Sequence, residues 1–98
     1  MFRSKSFDQE LSARLHNPKY ARGFLLTLME GDDGLSLEEA LKTTIERMGI
    51  KEFSKMSKIA SPNVVRMLKG RVTPTLQTLD MYLKPFGLRT KLFVEKAA

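Results

Sequence analysis

Four side chains within one eight-residue stretch have the chemistry to read base edges. Ser61, Asn63, Val65 and Arg66 all fall in S-P-N-V-V-R-M-L. Arginine matches the two major-groove acceptors of guanine, asparagine matches adenine, valine meets the thymine methyl, and serine bonds to either kind of base. Six cations lie in residues 50–71 (Lys51, Lys55, Lys58, Arg66, Lys69 and Arg71) against one anion, Glu52. Lys51, Lys55, Lys69, Arg71 and the hydroxyl of Thr73 are better placed for phosphate oxygens than for base edges. The competing reading is a solvated helix face with ordinary surface lysines. A short capped helix ringed by cations favours duplex DNA. Which of the four residues touches a base stays open.

Positioning those side chains requires two short helices and a tight turn. Phe53, Met56 and Ser57 share the inner face of the first, Ile59 lies in the turn, and Val64, Met67 and Leu68 form a stripe on the second. Ser61 is expected to cap the second helix, with Pro62 at its first position. Gly70 ends it in a left-handed conformation. The pattern is that of a helix-turn-helix, whose second helix can enter a major groove.

The rest of the chain supplies a frame. Ser6 with Gln9 forms a capping box, and Phe7, Leu11 and Leu15 give a helix over about 7–15. Asn17-Pro18 ends it and starts another, with Tyr20, Ala21, Phe24, Leu25, Leu28 and Met29 apolar to about Glu30. Gly31-Asp32-Asp33-Gly34 is a turn. Ser36 with Glu39 caps a third helix carrying Leu37, Ala40, Leu41, Thr44, Ile45 and Met48, closed by Gly49. A last helix places Leu76, Leu79, Leu83 and Phe86 inward until Pro85 stops it. Met29, Met48, Met56, Met67 and Met81 read as core fillers or, alternatively, as a partner groove.

The tail changes period. Leu88, Thr90, Leu92 and Val94 alternate with Arg89, Lys91, Phe93 and Glu95, as in a strand. A lone strand needs a partner for its backbone, most simply a second copy across a two-fold. The blander reading is a tail packed loosely on the domain. The expected architecture is thus all-α, five helices with a short C-terminal strand. It divides into an N-terminal hairpin (1–34), the helix-turn-helix region (35–87) and the strand and tail (88–98).

Composition narrows the function classes. Residues 1–49 hold seven cations and eight anions, while residues 50–98 hold ten and three. The basic excess therefore sits in the half with the candidate reader. With no cysteine and His16 alone, disulfides and a Cys/His zinc site are excluded. His16 suits a helix C-terminus, and Glu38 and Glu39 suit a helix N-terminus. Asp32 and Asp33 lack the further oxygen ligands of a calcium loop. No paired acids, Ser/His/Asp set or phosphate-cradling glycine loop points to an enzyme or a cofactor. No apolar run reaches membrane-span length and no signal peptide is evident, so the expected location is the cytoplasm.

Several blocks together resemble a known family. They are F-D at Phe7-Asp8, P-K-Y-A-R at 18–22 followed by F-L-L, L-S-L-E-E-A-L at 35–41 and M-G-I-K-E-F at 48–53. S-P-N-V-V-R-M-L-K-G at 61–70, T-P-T-L-Q-T-L at 73–79 and F-G-L at 86–88 complete the set. The helix-turn-helix resembles the lambda-repressor-like (Cro-type, Xre) class. The whole chain resembles the HigA-like "probable addiction module antidote" antitoxins. That resemblance implies a bacterial homodimer that binds its operator, represses its own transcription and neutralises a RelE-superfamily toxin by direct contact. The resemblance does not give the face that meets the toxin. By elimination the candidates are the N-terminal helices (residues 7–30) and the C-terminal strand, with Asp8, Glu10, Glu30, Asp32 and Asp33 as complements to a basic partner or, alternatively, as ordinary solvated acids. Ser54 and Lys58 depart from the Ala and Gly usual in the class, and Ala60 replaces its usual capping Ser. The rivals are a stand-alone prophage-type repressor and a helical interaction module without DNA binding.

Overall fold

The structure is a computed structural model that describes residues 5–97, with side chains from Phe7 onward. Ser6, expected to cap the first helix, lies inside it, because the helix already begins at Lys5; the Ser6 side chain lies outside the described residues. Six α-helices follow in order: α1 (Lys5–Leu15), α2 (Pro18–Met29), α3 (Leu37–Met48), α4 (Ile50–Ser57), α5 (Ser61–Leu68) and α6 (Leu76–Leu83). A 3-10 turn, Lys84–Phe86, ends the series. The expected count of five is one short. The segments read from the sequence already number six, and each appears as a separate helix. Asn17 and Pro18 part α1 from α2 as expected, the Asn17 side chain accepting from the Lys19 and Tyr20 N–H groups (2.9 and 3.4 Å). Pro18 has no N–H to continue α1.

α3 is the central element, with α1, α2 and α4 packed on it. Ser36 caps it by accepting from the Glu39 N–H at 3.3 Å. Its inward face, Ala40, Leu41, Thr44, Ile45 and Met48, is buried. Thr44 is the buried polar member, and its hydroxyl donates to the Ala40 carbonyl at 2.8 Å, so burial leaves no unmet donor. The Ser12 hydroxyl donates to the Met48 carbonyl at 2.8 Å, fastening α1 to an end group that the helix cannot satisfy itself. Two glycines are geometrically required. A Cβ on Gly34 would stand 2.2 Å from the Met29 carbonyl oxygen, and Gly49 turns α3 directly into α4 at φ +107°.

One apolar cluster runs from Leu15 to Phe86 and draws on every helix. Leu79, Leu83 and Phe86 are buried as expected, but Leu76 faces solvent and Tyr82 takes an inward place. The inward stripe of α6 is Leu79, Tyr82 and Leu83, continued by Phe86 of the 3-10 turn. Leu76 precedes it where the core tapers, and Met81, two residues from Leu79, points away and is exposed rather than filling the core. Met48 and Met67 are buried, while Met29 and Met56 are half-buried.

The tail does not form the expected strand. Leu88 is half-buried, its N–H on the Leu83 carbonyl at 3.2 Å. The N–H and hydroxyl of Thr90 both donate to one carboxylate oxygen of Asp80, at 2.6 and 2.7 Å. Beyond this clasp the chain runs free of regular structure, with Leu92, Phe93 and Val94 74%, 77% and 83% exposed. No other segment among the described residues offers a strand edge, so the alternating pattern of Leu88, Thr90, Leu92 and Val94 has nothing within the chain to pair with.

The Thr90 N–H, then its hydroxyl, hold the Asp80 carboxyl below the ordinary carboxylate range; partial desolvation opposes this and Arg89 adds to it. The charged form is favoured by folding, so the clasp is at full strength above the ordinary carboxylate pKa. It is lost as pH falls through the lowered folded-state value. Protection of the Thr90 amide from hydrogen exchange, relative to its intrinsic rate, should therefore fall on acidification below about pH 4. In Asp80→Ala that protection should be absent at every pH.

Candidate nucleic-acid interface

The turn between α4 and α5 contains three residues, Lys58, Ile59 and Ala60. Lys58 adopts the left-handed conformation (φ +63°, ψ +21°) that usually falls to glycine, at a cost of about 1 kcal/mol. Three hydrogen bonds offset it. The Lys58 N–H reaches the Ser54 carbonyl at 2.8 Å. The Ser54 hydroxyl donates to the Ile59 carbonyl at 2.5 Å, and the Ser57 hydroxyl accepts from the Ile59 N–H at 3.1 Å. Ser54, which looked like a departure, is thus the side chain that ties the turn back onto α4.

α5 starts one residue earlier than its sequence indicates. Ala60, not Ser61, holds the cap position, without a side-chain bond. Its carbonyl accepts from the N–H groups of Asn63 and Val64 at 2.9 and 3.2 Å, which makes Ser61 the first helical residue and Pro62 the second. Proline is still tolerated there because the first-turn N–H it lacks would have no partner within the helix. Gly70 follows the helix at φ +68°, as expected.

Val64 and Met67 fill the inward face of α5, and Leu68 is half-buried. Ser61, Asn63 and Arg66 are exposed; Val65 is half-buried, so of the four candidate readers it is the most recessed. Lys51, Lys55, Lys69, Arg71 and Thr73 are all exposed. A further cation joins them from a distant part of the chain. The Lys42 ammonium of α3 lies 3.7 Å from where a Cβ on Gly70 would stand. Sequence order hides this neighbour because only the packing of α3 brings it there.

α5 is held from behind by aromatic rings. The Phe53 ring of α4 stacks on Tyr82 with centroids 5.7 Å apart and lies tilted by 36° against Phe86 at 5.9 Å. The Tyr82 hydroxyl donates to the main-chain carbonyl of Asn63 at 3.3 Å. Burial pushes the Tyr82 phenol above its ordinary range, which keeps it a donor at neutral pH. Tyr82 is the positioning residue that sequence reasoning passed over; its spacing of three after Leu79 and four before Phe86 is the signal that places it inward. Between α5 and α6 a shallow groove of about 230 Å³ is lined by Ile59, Met67, Val72 and Met81, with Asn63 and Arg66 also on its walls. Among the described residues no group of three or more His, Cys, Asp or Glu side chains comes together as a metal site.

Ser54→Ala removes the donor to the Ile59 carbonyl and should lower unfolding free energy in a urea titration by about 1 kcal/mol. Helix content by circular dichroism should not change.

Comparison of the chain with family models, with curated proteins and with solved structures finds no match.

Proposed function

We propose that this protein is a DNA-binding antitoxin: it binds its own operator to regulate transcription and neutralises a RelE-superfamily toxin by direct contact. The observation that carries the reading is the outward face of α5. Asn63 and Arg66 stand exposed there, backed by a buried Val64/Met67 stripe and flanked by the exposed Lys51, Lys55, Lys69 and Arg71. Two eight-residue helices joined by a three-residue turn support a lambda-repressor-like helix-turn-helix. In this reading Ser61, Asn63, Val65 and Arg66 address base edges, and the lysines, Arg71 and Thr73 address phosphates. A homodimer on a palindromic site would place its two α5 helices about 34 Å apart.

The partner-binding half rests on different features. Leu92, Phe93 and Val94 form an exposed apolar tail, suited to strand pairing with the toxin or with a second copy. Of the acids expected to face a basic toxin, Glu10 is engaged by Arg14 at 2.7 Å. Glu30, Asp32 and Asp33 are exposed near the end of α2. Among the described residues no helix is long and apolar enough to cross a membrane; in this reading, a DNA-binding repressor acts in the cytoplasm. The exposed apolar tail equally suits a helical interaction module without DNA binding, which a gel shift on the chain's own promoter discriminates.

Arg66→Ala should weaken operator binding by about 1–3 kcal/mol and relax preference at one base position. A loss spread evenly over all sequences would make Arg66 a phosphate contact. Affinity should fall steeply and linearly in log salt, and each of Lys51→Ala and Lys69→Ala should reduce that slope by about 1. A salt-independent affinity would overturn the reading. Co-expression with the adjacent gene, scored by rescue of growth, tests the antitoxin activity; a neighbouring gene that is harmless alone would leave a stand-alone repressor.

A further inference from the structure

α2 presents a second face that no other element among the described residues covers. Lys19, Gly23, Leu26 and Glu30 follow one another at spacings of four, three and four, the spacing of a helix–helix seam, and all four are exposed. Tyr20 and Leu26 are 42% and 44% exposed. A hollow of about 490 Å³ opens beside Gly23, lined by Lys19, Tyr20, Phe24 and Thr27.

Nothing among the described residues explains two features of this face. Gly23 sits in a helix interior, where glycine is less favourable than alanine. A Cβ there would meet no atom within 4 Å, and its φ is not positive. The end charges are also reversed relative to the helix. α2 has no acid in its first turn and no base in its last; instead Lys19 lies in the first turn and Glu30 at the C-cap. Both oppose the helix dipole.

An antiparallel second copy of α2 resolves both. The 4-3-4 spacing reads the same in either direction. Setting Lys19 opposite Glu30 of a second copy sets Gly23 opposite its Leu26, and by symmetry the reverse. Each leucine then enters the hollow beside a glycine. Each lysine lies at the negative C-terminal end of the facing helix, and each glutamate at its positive N-terminal end. We infer that α2 is a self-docking surface, on which a second copy of this chain packs antiparallel along Lys19, Gly23, Leu26 and Glu30. The inference stands whether or not α5 reads DNA.

Sedimentation equilibrium of the full chain tests it. Lys19→Glu and Glu30→Lys should each weaken self-association about tenfold, since each sets like charges opposite one another twice. The double reversal should restore it to within about threefold of the parent. Gly23→Gln, which fills the hollow with a polar chain, should also dissociate the pair. Each single reversal aligns a charge with the dipole, so the melting temperature of the dilute monomer should hold or rise, which separates lost association from lost folding. Association indifferent to the single reversals, a double reversal that fails to restore it, or a parent chain that is monomeric at all concentrations would each overturn the inference; in the last case α2 serves a different partner.

Discussion

The orientation of α5 depends on the packing of Phe53 between Tyr82 and Phe86. Without it, α4 and α5 would be two short helices joined by a strained turn, each too short to persist alone. The three rings come from α4, α6 and the 3-10 turn, so two contacts of one ring join the support of α5 to the C-terminal part of the core. The Tyr82 hydroxyl then extends this anchor to α5 itself through the Asn63 carbonyl. α5 is thereby presented as a rigid face rather than as one arm of a flexible hairpin, and a preformed face loses less entropy on meeting a partner.

Electrostatics are laid over this frame rather than woven into it. Among the described residues no ion pair joins the exposed cations of the candidate interface to the core, and within the frame hydroxyls close on carbonyls. Charge can therefore be redistributed on the surface without loss of packing. The same separation holds on α1, where the exposed Arg14 and Glu10 bridge successive turns and contribute little to stability.

The parts of the structure that were legible in the sequence are those whose physics is local. Asn17, Ser36 and Gly49 mark helix ends because cap and φ preferences act over three or four residues, and their signals agree with the structure. The outward placement of Asn63 and Arg66 followed from the 3.6-residue period once Val64 and Met67 were read as inward. What was not legible depends on distant contacts. Leu76 fits the apolar period of α6 but stands where the core ends. Tyr82 carries a polar tip by residue type, and what it meets inside, the Phe53 ring from α4 and the Asn63 carbonyl from α5, comes from elsewhere in the chain. Lys42 reaches Gly70 only through the packing of α3. The start of α5 was misplaced because Ser61 is the better cap by residue type, whereas the Ala60 carbonyl already accepts the first bonds. The alternating tail is a pattern without a neighbour: period alone specifies which residues share a face, not where a pairing edge will come from.

The tether on Asn63 is made through its main chain, and its side chain is left outside. Every residue carries that carbonyl, so the anchor is indifferent to which amino acid occupies position 63. The framework that fixes the height and tilt of α5 is thus decoupled from the letters it displays. Replacing the displayed residues exchanges one set of contacts for another while the scaffold is conserved, so new binding preferences can arise here by single substitutions that leave stability nearly untouched.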